Sequence, residues 1–301
     1  MTDPPVVDCA VIGAGPSGLM AAMYLRRFHR PIVVLDAGES RARWIPESHN
    51  CPGFPGGVSG DDLLLRLREQ ANGYGVVVSQ ANVVGLSRVE NNFRIDDASG
   101  RQFVARSVIL ATGVVDILPD VPWARQAVAS GAMRLCAICD GYEASDGRLA
   151  VFGPVVAAIK HALFLRTFSQ SVVVAPSDTA APDNGDLRSA TDLGIELLEG
   201  PFTLAYDGAR CAIADAHGRE HRFDTVYPAL GARSRSDLAM ALGARADDND
   251  ELIVGTDQMT SVEGLYAIGD VVSALNQISV GIGHAAIAAT AAHNYLRLNP
   301  R

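Results

Sequence analysis

Apolar and polar positions along this chain alternate between strand runs and helical faces in a recurring βαβ order. Val6 to Ile12 is a short run of apolar and β-branched residues, the pattern of a strand buried on both faces. It leads into Gly13-Ala14-Gly15-Pro16-Ser17-Gly18 and an Ala/Leu/Met-rich helix through about Arg27. The next strand, Pro31 to Leu35, ends at Asp36. A helix follows Ser59-Gly60-Asp61, then a short β-meander over VVVSQANVVGLSRVENNFRIDD, then a strand and turn at Ser107 to Gly113. The strand-turn-helix-strand order returns at Leu149 to Phe152, Gly153 to Ala158, AAIKHALFLRTF and Ser171 to Val174. Gly264 to Asp270 repeats the strand-then-glycine pattern, and Val271 to Ala286 enters a long Ala-rich helix ending near Leu298. The pattern predicts an α/β protein with two nucleotide-type βαβ units.

The first unit carries a complete fingerprint. Its glycines allow a tight turn, close approach of backbone to a pyrophosphate, and close helix–strand packing. Asp36 lies about 20 residues on, where a carboxylate accepts a ribose hydroxyl. Downstream, Asp270 is placed to bond a ribityl chain.

Length and charge narrow the class. At 301 residues the chain has room for about two domains. A net charge of −9 argues against non-specific nucleic-acid binding, which needs Lys and Arg to neutralise phosphates. No apolar run approaches bilayer length, so no membrane partner is expected. Met1-Thr2-Asp3-Pro4-Pro5 lacks a basic segment and leads straight into a strand, so a cytoplasmic location is expected.

Arg134-Leu135-Cys136-Ala137-Ile138-Cys139-Asp140-Gly141 carries the sharpest chemistry. Two thiols separated by two residues can close a small disulfide, and a helix start favours the reactive thiolate. The same spacing is half of a zinc site, but Cys9, Cys51 and Cys211 stand singly, with no second close Cys/His pair to complete four ligands. No metal is expected. In a chain with few cysteines and no export segment, redox catalysis is the favoured reading. Asp140 is a candidate proton donor or acceptor. Cys51, beside the loop Asn50-Cys51-Pro52-Gly53-Phe54-Pro55-Gly56-Gly57, reads as filler before it reads as a third redox centre.

In order, GAGPSG, the CPGFPGG loop, ATG, CAICDG and YAIGD resemble the motifs of low-molecular-weight thioredoxin reductases over nearly the whole chain. The resemblance implies two Rossmann-type, three-layer ββα domains, the second inserted in the first. An FAD domain would span 1–115 and 245–301, and an NADPH-type domain 116–244 would carry the cysteine pair. It further implies a homodimer and a disulfide exchanging electrons with the flavin. Cys139 would face the flavin in a charge-transfer contact, and Cys136 would meet the substrate. FAD would rest on Gly13, Gly15, Pro16, Ser17, Gly18, Asp36, Asn50, Thr112, Gly113, Gly269, Asp270, Gln277 and Ile278. Val114-Val115-Asp116 and 239–250 would form the two-stranded hinge between domains.

Three departures set this chain apart from that pattern. The second fingerprint reads Gly153-Pro154-Val155-Val156-Ala157-Ala158 and keeps only its first glycine; a branched Cβ at Val155 would fill pyrophosphate space, and Pro154 lacks an N–H. Strand Ser171 to Val174 is followed by Asp178 and Asp183 rather than phosphate-gripping arginines, with Arg188 the first cation after it. NAD(P)H therefore becomes a doubtful cofactor unless Lys160 or Arg188 rearranges. Third, Asn276-Gln277-Ile278 stand where the family has Arg-Gln-Ala, and His284, expected in the first turn of the last helix, is either a general base or a packing residue. His217, His221 and His293 read as surface.

The reading is thus an FAD-dependent dithiol/disulfide oxidoreductase with catalytic Cys136, Cys139, Asp140 and His284, using NADPH poorly. Its partners would be a thioredoxin-like protein or small dithiol, with a ferredoxin donor or oxygen as acceptor. The alternatives are an NAD(P)H-dependent thioredoxin reductase with an altered pocket, and a flavoprotein redox sensor that turns nothing over.

Overall fold

Two parallel sheets, each with helices on one face and an antiparallel layer on the other, divide the chain between them. The structure is a computed structural model that describes residues 5–272 and 275–296. The expected helix end near Leu298, residues Ser273 and Ala274, and the segment Met1 to Pro4 lie outside the described residues.

Strand β1 (Val6–Ile12), helix α1 (Pro16–Arg27) and β2 (Ile32–Asp36) form the first βαβ unit. Helix α2 (Gly60–Asn72) begins where Ser59 Oγ accepts the Asp62 N–H, with Asp61 and Asp62 in its positive first turn. Strands β3 (Val78–Gln80), β4 (Val83–Val89), β5 (Asn92–Asp97) and β6 (Gln102–Leu110) follow. The meander starts later than the sequence suggests: β3 pairs parallel with β2, and only β4, β5 and β6 run antiparallel. One long strand, β6, serves two layers. Its start, Gln102 to Ala105, pairs with β5, while Val104 to Leu110 lies parallel to β1 and its last three residues lie parallel to the late strand Leu265–Ala267.

The chain leaves this sheet through β7 (Val114–Asp116), then forms α3 (Ala124–Ala129) and the four-residue α4 (Ala137–Asp140). The second sheet is built from β8 (Leu149–Gly153), α5 (Val155–Leu165), β9 (Val172–Pro176), α6 (Asn184–Asp192) and β10 (Glu196–Leu197). The antiparallel layer β11 (Thr203–Tyr206), β12 (Cys211–Ala214) and β13 (Glu220–Phe223) leads into β14 (Thr225–Pro228), giving the parallel order β10-β9-β8-β14. The return strand is β15 (Ala232–Ser234), antiparallel to β7, and not the segment 239–250 expected from sequence. Helix α7 (Asp237–Met240), β16 (Leu265–Ala267) and α8 (Ile278–Tyr295) complete the chain.

Helices α1 and α8 cover one face of the first sheet. Leu19, Ala22 and Leu25 share a core with Ala285, Ala288, Ala289 and Ala292, and the small side chains let the two helices approach closely. The far end of α8 is held by a buried charge: Arg30, 2% exposed, reaches Asp8 Oδ2 at 3.2 Å and donates to His293 Nδ1 at 3.0 Å. His293 therefore departs from its surface reading, half-buried and packed on Phe28. His221 departs as well. It is buried in the second unit, 2.9 Å from Asp215, so its polar ring is satisfied internally.

Gly18 shows how the first turn is built, because a Cβ there would lie 1.9 Å from the Gly13 carbonyl oxygen. Gly18→Val is expected to cost about 1–3 kcal/mol by forcing the loop apart, read as a lower thermal midpoint of flavin-free protein. An unchanged midpoint would contradict this packing.

Candidate active site

A cavity of about 900 Å3 runs from the first glycine loop across the sheet's end to the cysteine pair. Gly13 begins it with φ +102°, and its Cβ would meet the Ala111 carbonyl at 2.3 Å, so only glycine fits this turn. Helix α1 starts with Gly15 as its N-cap and Pro16 in its first turn, and no side chain caps it. Its N–H groups remain available to an anion. Asp36, at the end of β2, accepts the Ala14 N–H at 3.0 Å and an Arg68 nitrogen at 3.4 Å. Ser17, Thr112, Gly113, Gly269, Asp270 and Ile278 line the same space.

Arg41, which the sequence reading overlooked, closes the floor. Its guanidinium makes two 2.7 Å bonds to Asp116 and one of 3.0 Å to Asp270. Burial opposes its charge, but these two carboxylates outweigh burial and hold it firmly protonated. It opens the short 3-10 turn Arg41–Trp44, capped by Ser40 Oγ, which accepts the Ala42 N–H at 3.3 Å.

Cys136 and Cys139 are joined in a disulfide with Cα atoms 5.3 Å apart. Cys136 caps α4, and its sulfur lies 3.2 Å from the Cys139 N–H. Both cysteines line the cavity, opposite the start of α8. There the Gln277 amide nitrogen sits 3.3 Å from Cys139 Sγ and 3.5 Å from Cys136 Sγ. The other cysteines are chemically quiet: burial pushes the Cys9 thiol up to about 12 and raises those of Cys51 and Cys211. Cys51 packs with Val58 and Leu63 as filler.

Asp140 also lines the cavity. Its Oδ1 accepts the Tyr227 hydroxyl at 3.0 Å, while Arg134 donates to its backbone carbonyl at 2.6 Å. Burial raises its pKa to about 6, against the opposing pull of the Arg134 charge and the Tyr227 bond. Such a carboxyl can give or take a proton near neutrality. Tyr227, on β14, is 87 residues away in sequence and carried no motif.

Two predicted residues lie elsewhere. Gly18 packs beneath the loop and does not line the cavity. His284 sits in the second turn of α8, not the first, and is also absent from the lining. Its Nδ1 is buried without a partner, and burial lowers its pKa against the attraction of Asp270.

The second glycine loop is built differently. Val155 is buried in the core beside Ala158 and Ile159, so its side chain serves packing. The N–H of Val155 donates to Asp178 Oδ1 at 2.9 Å, and the N-cap residue before it is Pro154. Asp183 caps α6 by accepting from Gly185 N and Asp186 N. Lys160 and Arg188 are exposed.

The profile of the pyridine nucleotide-disulphide oxidoreductases matches residues 7–292. The chain belongs to that family. Thioredoxin reductases are among its relatives: that of Peptoclostridium acidaminophilum is 26% identical over 98% of both chains. That of Aquifex aeolicus is 28% identical over 95% of this chain and 91% of its own. The crystal structure of HlmI superposes with a TM-score of 0.90 at 28% identity, covering 98% of this chain and 94% of that one. The chain is thus a thioredoxin reductase-like, flavin-dependent disulfide oxidoreductase.

The cavity fits the family's FAD. The open start of α1 and the turn at Gly13 suit a pyrophosphate, and Asp36 offers a buried carboxylate for a ribose. Asp270 and the start of α8 border the region next to the disulfide. When bound, FAD supplies two-electron exchange with the disulfide. Among the described residues no helix is long and apolar enough to cross a membrane.

Tyr227→Phe removes a hydrogen bond that favours the ionised carboxylate. The Asp140 midpoint is therefore expected to rise from about 6 by about 1 pH unit, read by carboxyl-carbon NMR titration. A midpoint that stays or falls would contradict the contact's role.

Proposed function

We propose that this oxidoreductase exchanges electrons between a dithiol/disulfide partner and flavin through Cys136–Cys139, with the NADPH entrance closed. The observation that carries the reading is the disulfide itself, lining one cavity with the Gly13 loop and Asp270. The partner is a thioredoxin-like protein or a small dithiol. Electrons on the flavin side come from a ferredoxin-type donor or go to oxygen. The units work as a homodimer, with β7 and β15 as the seam between an FAD domain and an inserted domain.

The thiol step uses this chain's own residues. A thiolate of the partner dithiol bonds to Cys136 Sγ; the Cys136–Cys139 bond breaks and its electron pair stays on Cys139 Sγ. Asp140 takes the proton of the partner's second thiol. That sulfur closes the partner's disulfide and expels Cys136 as thiolate, so two electrons and one proton enter the protein side. In the reverse direction Asp140 returns the proton. Asp140 suits both directions because burial and Arg134 place its midpoint near 6.

Three features support a closed nicotinamide entrance. Asp178 holds the Val155 N–H that an incoming phosphate would need. Pro154 contributes no donor. The segment 175–183 holds two carboxylates and no Lys or Arg. A second reading, NADH use in an altered pocket, is favoured by Asp178 alone, since NAD sites place an acidic residue after the second strand.

Cys136→Ser and Cys139→Ser are each expected to abolish dithiol turnover while the purified protein keeps its yellow flavin. Turnover undiminished in either variant would overturn the assignment.

A further inference from the structure

The amide of Gln277 is oriented by a chain of hydrogen bonds that ends on the disulfide. Ser48 Oγ donates to Asn50 Oδ1 at 3.1 Å, and Asn50 Nδ2 donates to Gln277 Oε1 at 2.9 Å. The Ser48 hydroxyl can donate or accept, whereas the disulfide sulfurs can only accept. With its oxygen engaged by Asn50, the Gln277 side chain turns its nitrogen to the sulfurs, 3.3 Å from Cys139 Sγ and 3.5 Å from Cys136 Sγ. The flipped amide would set its nitrogen against the Asn50 nitrogen and its oxygen against two sulfur lone pairs. If Asn50 flipped as well, the Ser48–Asn50–Gln277 bonds would re-form, but the amide oxygen would still face two sulfurs that have no proton to give, so the sulfurs decide the orientation.

We propose that Gln277 is a catalytic residue of the thiol reaction, an amide donor that stabilises the sulfur anion formed when the disulfide opens. A disulfide sulfur is a weak acceptor and a thiolate a strong one, so one N–H contact gains strength as the bond breaks. When the Cys136–Cys139 bond accepts two electrons from a dithiol, the charge left on Cys139 Sγ develops at the nearer of the two contacts. Asn50 and Ser48 act through Gln277 and are positioning residues. The two helix starts contribute different donors: the N–H of Cys139 already faces Cys136 Sγ at 3.2 Å, and Gln277 faces both sulfurs from across the cavity. The inference rests on Cys136–Cys139 being the working redox pair. It concerns the stability of the reduced pair and not the identity of the electron donor.

The test is an equilibrium one on the flavin-loaded protein. The protein is held anaerobically in glutathione buffers of fixed thiol-to-disulfide ratio at pH 7, quenched in acid, alkylated and weighed. Gln277→Leu is expected to lower the equilibrium constant for reducing the pair about tenfold, about 30 mV for two electrons. Gln277→Glu should lower it further, because a carboxylate would face the thiolate. Asn50→Leu, which only releases the amide, should fall between native and Gln277→Leu. Equal reduction of native and Gln277→Leu protein overturns the inference, as does easier reduction of Gln277→Glu. Should Gln277→Leu fail to fold, Asn50→Leu against native protein decides by the same criterion. The readout needs no turnover, so loss of activity in the cysteine variants and a shift in this equilibrium fail independently.

Discussion

The position of the disulfide over the cavity depends on the Arg41 guanidinium. It joins the turn after β2 to Asp116 on the connecting strand and to Asp270 in the turn that follows β16. Three segments separated by 75 and 229 residues meet on one side chain. Trp44, three residues on, packs into the core of the second unit with Arg125 over its ring at 5.0 Å. Together these contacts set the second unit so that α4 faces the start of α8. A half-buried, doubly paired arginine is costly to remove, because two partly buried carboxylates lose their shared partner.

The two glycine loops of the fold show how one architecture diverges. In the first, Gly15 and the uncapped start of α1 leave donors open to an anion, and Asp36 borders the cavity. In the second, a proline and a core valine follow Gly153, and the chain's own Asp178 takes the Val155 N–H at the helix start. The fold survives because packing and phosphate binding use different faces of the loop. The sequence suggested that the Val155 side chain would fill phosphate space. The structure turns that side chain into the core and brings Asp178 to the loop instead.

Local features were legible in the sequence. The strand, glycine turn and helix at Val6–Arg27 and the cysteine pair at a helix start follow from neighbours within a few residues. Contacts between distant segments were not. The Tyr227 bond to Asp140 and the Gln277 contact with the sulfurs span 87 and 138 residues and leave no periodic trace. The return strand β15 was misplaced for a related reason: three residues, Ala232, Arg233 and Ser234, are too short to show alternation. His221 read as surface because its partner Asp215 is visible only once the β12–β13 turn is closed.

The proposed mechanism is a working disulfide–flavin relay with a closed nicotinamide entrance. Its most direct test is anaerobic mixing of the purified yellow protein with NADPH, and separately with dithiothreitol, following flavin absorbance. Bleaching by dithiothreitol is expected, with little or none by NADPH. Rapid bleaching by NADPH would contradict it and make this chain an ordinary NADPH-dependent reductase.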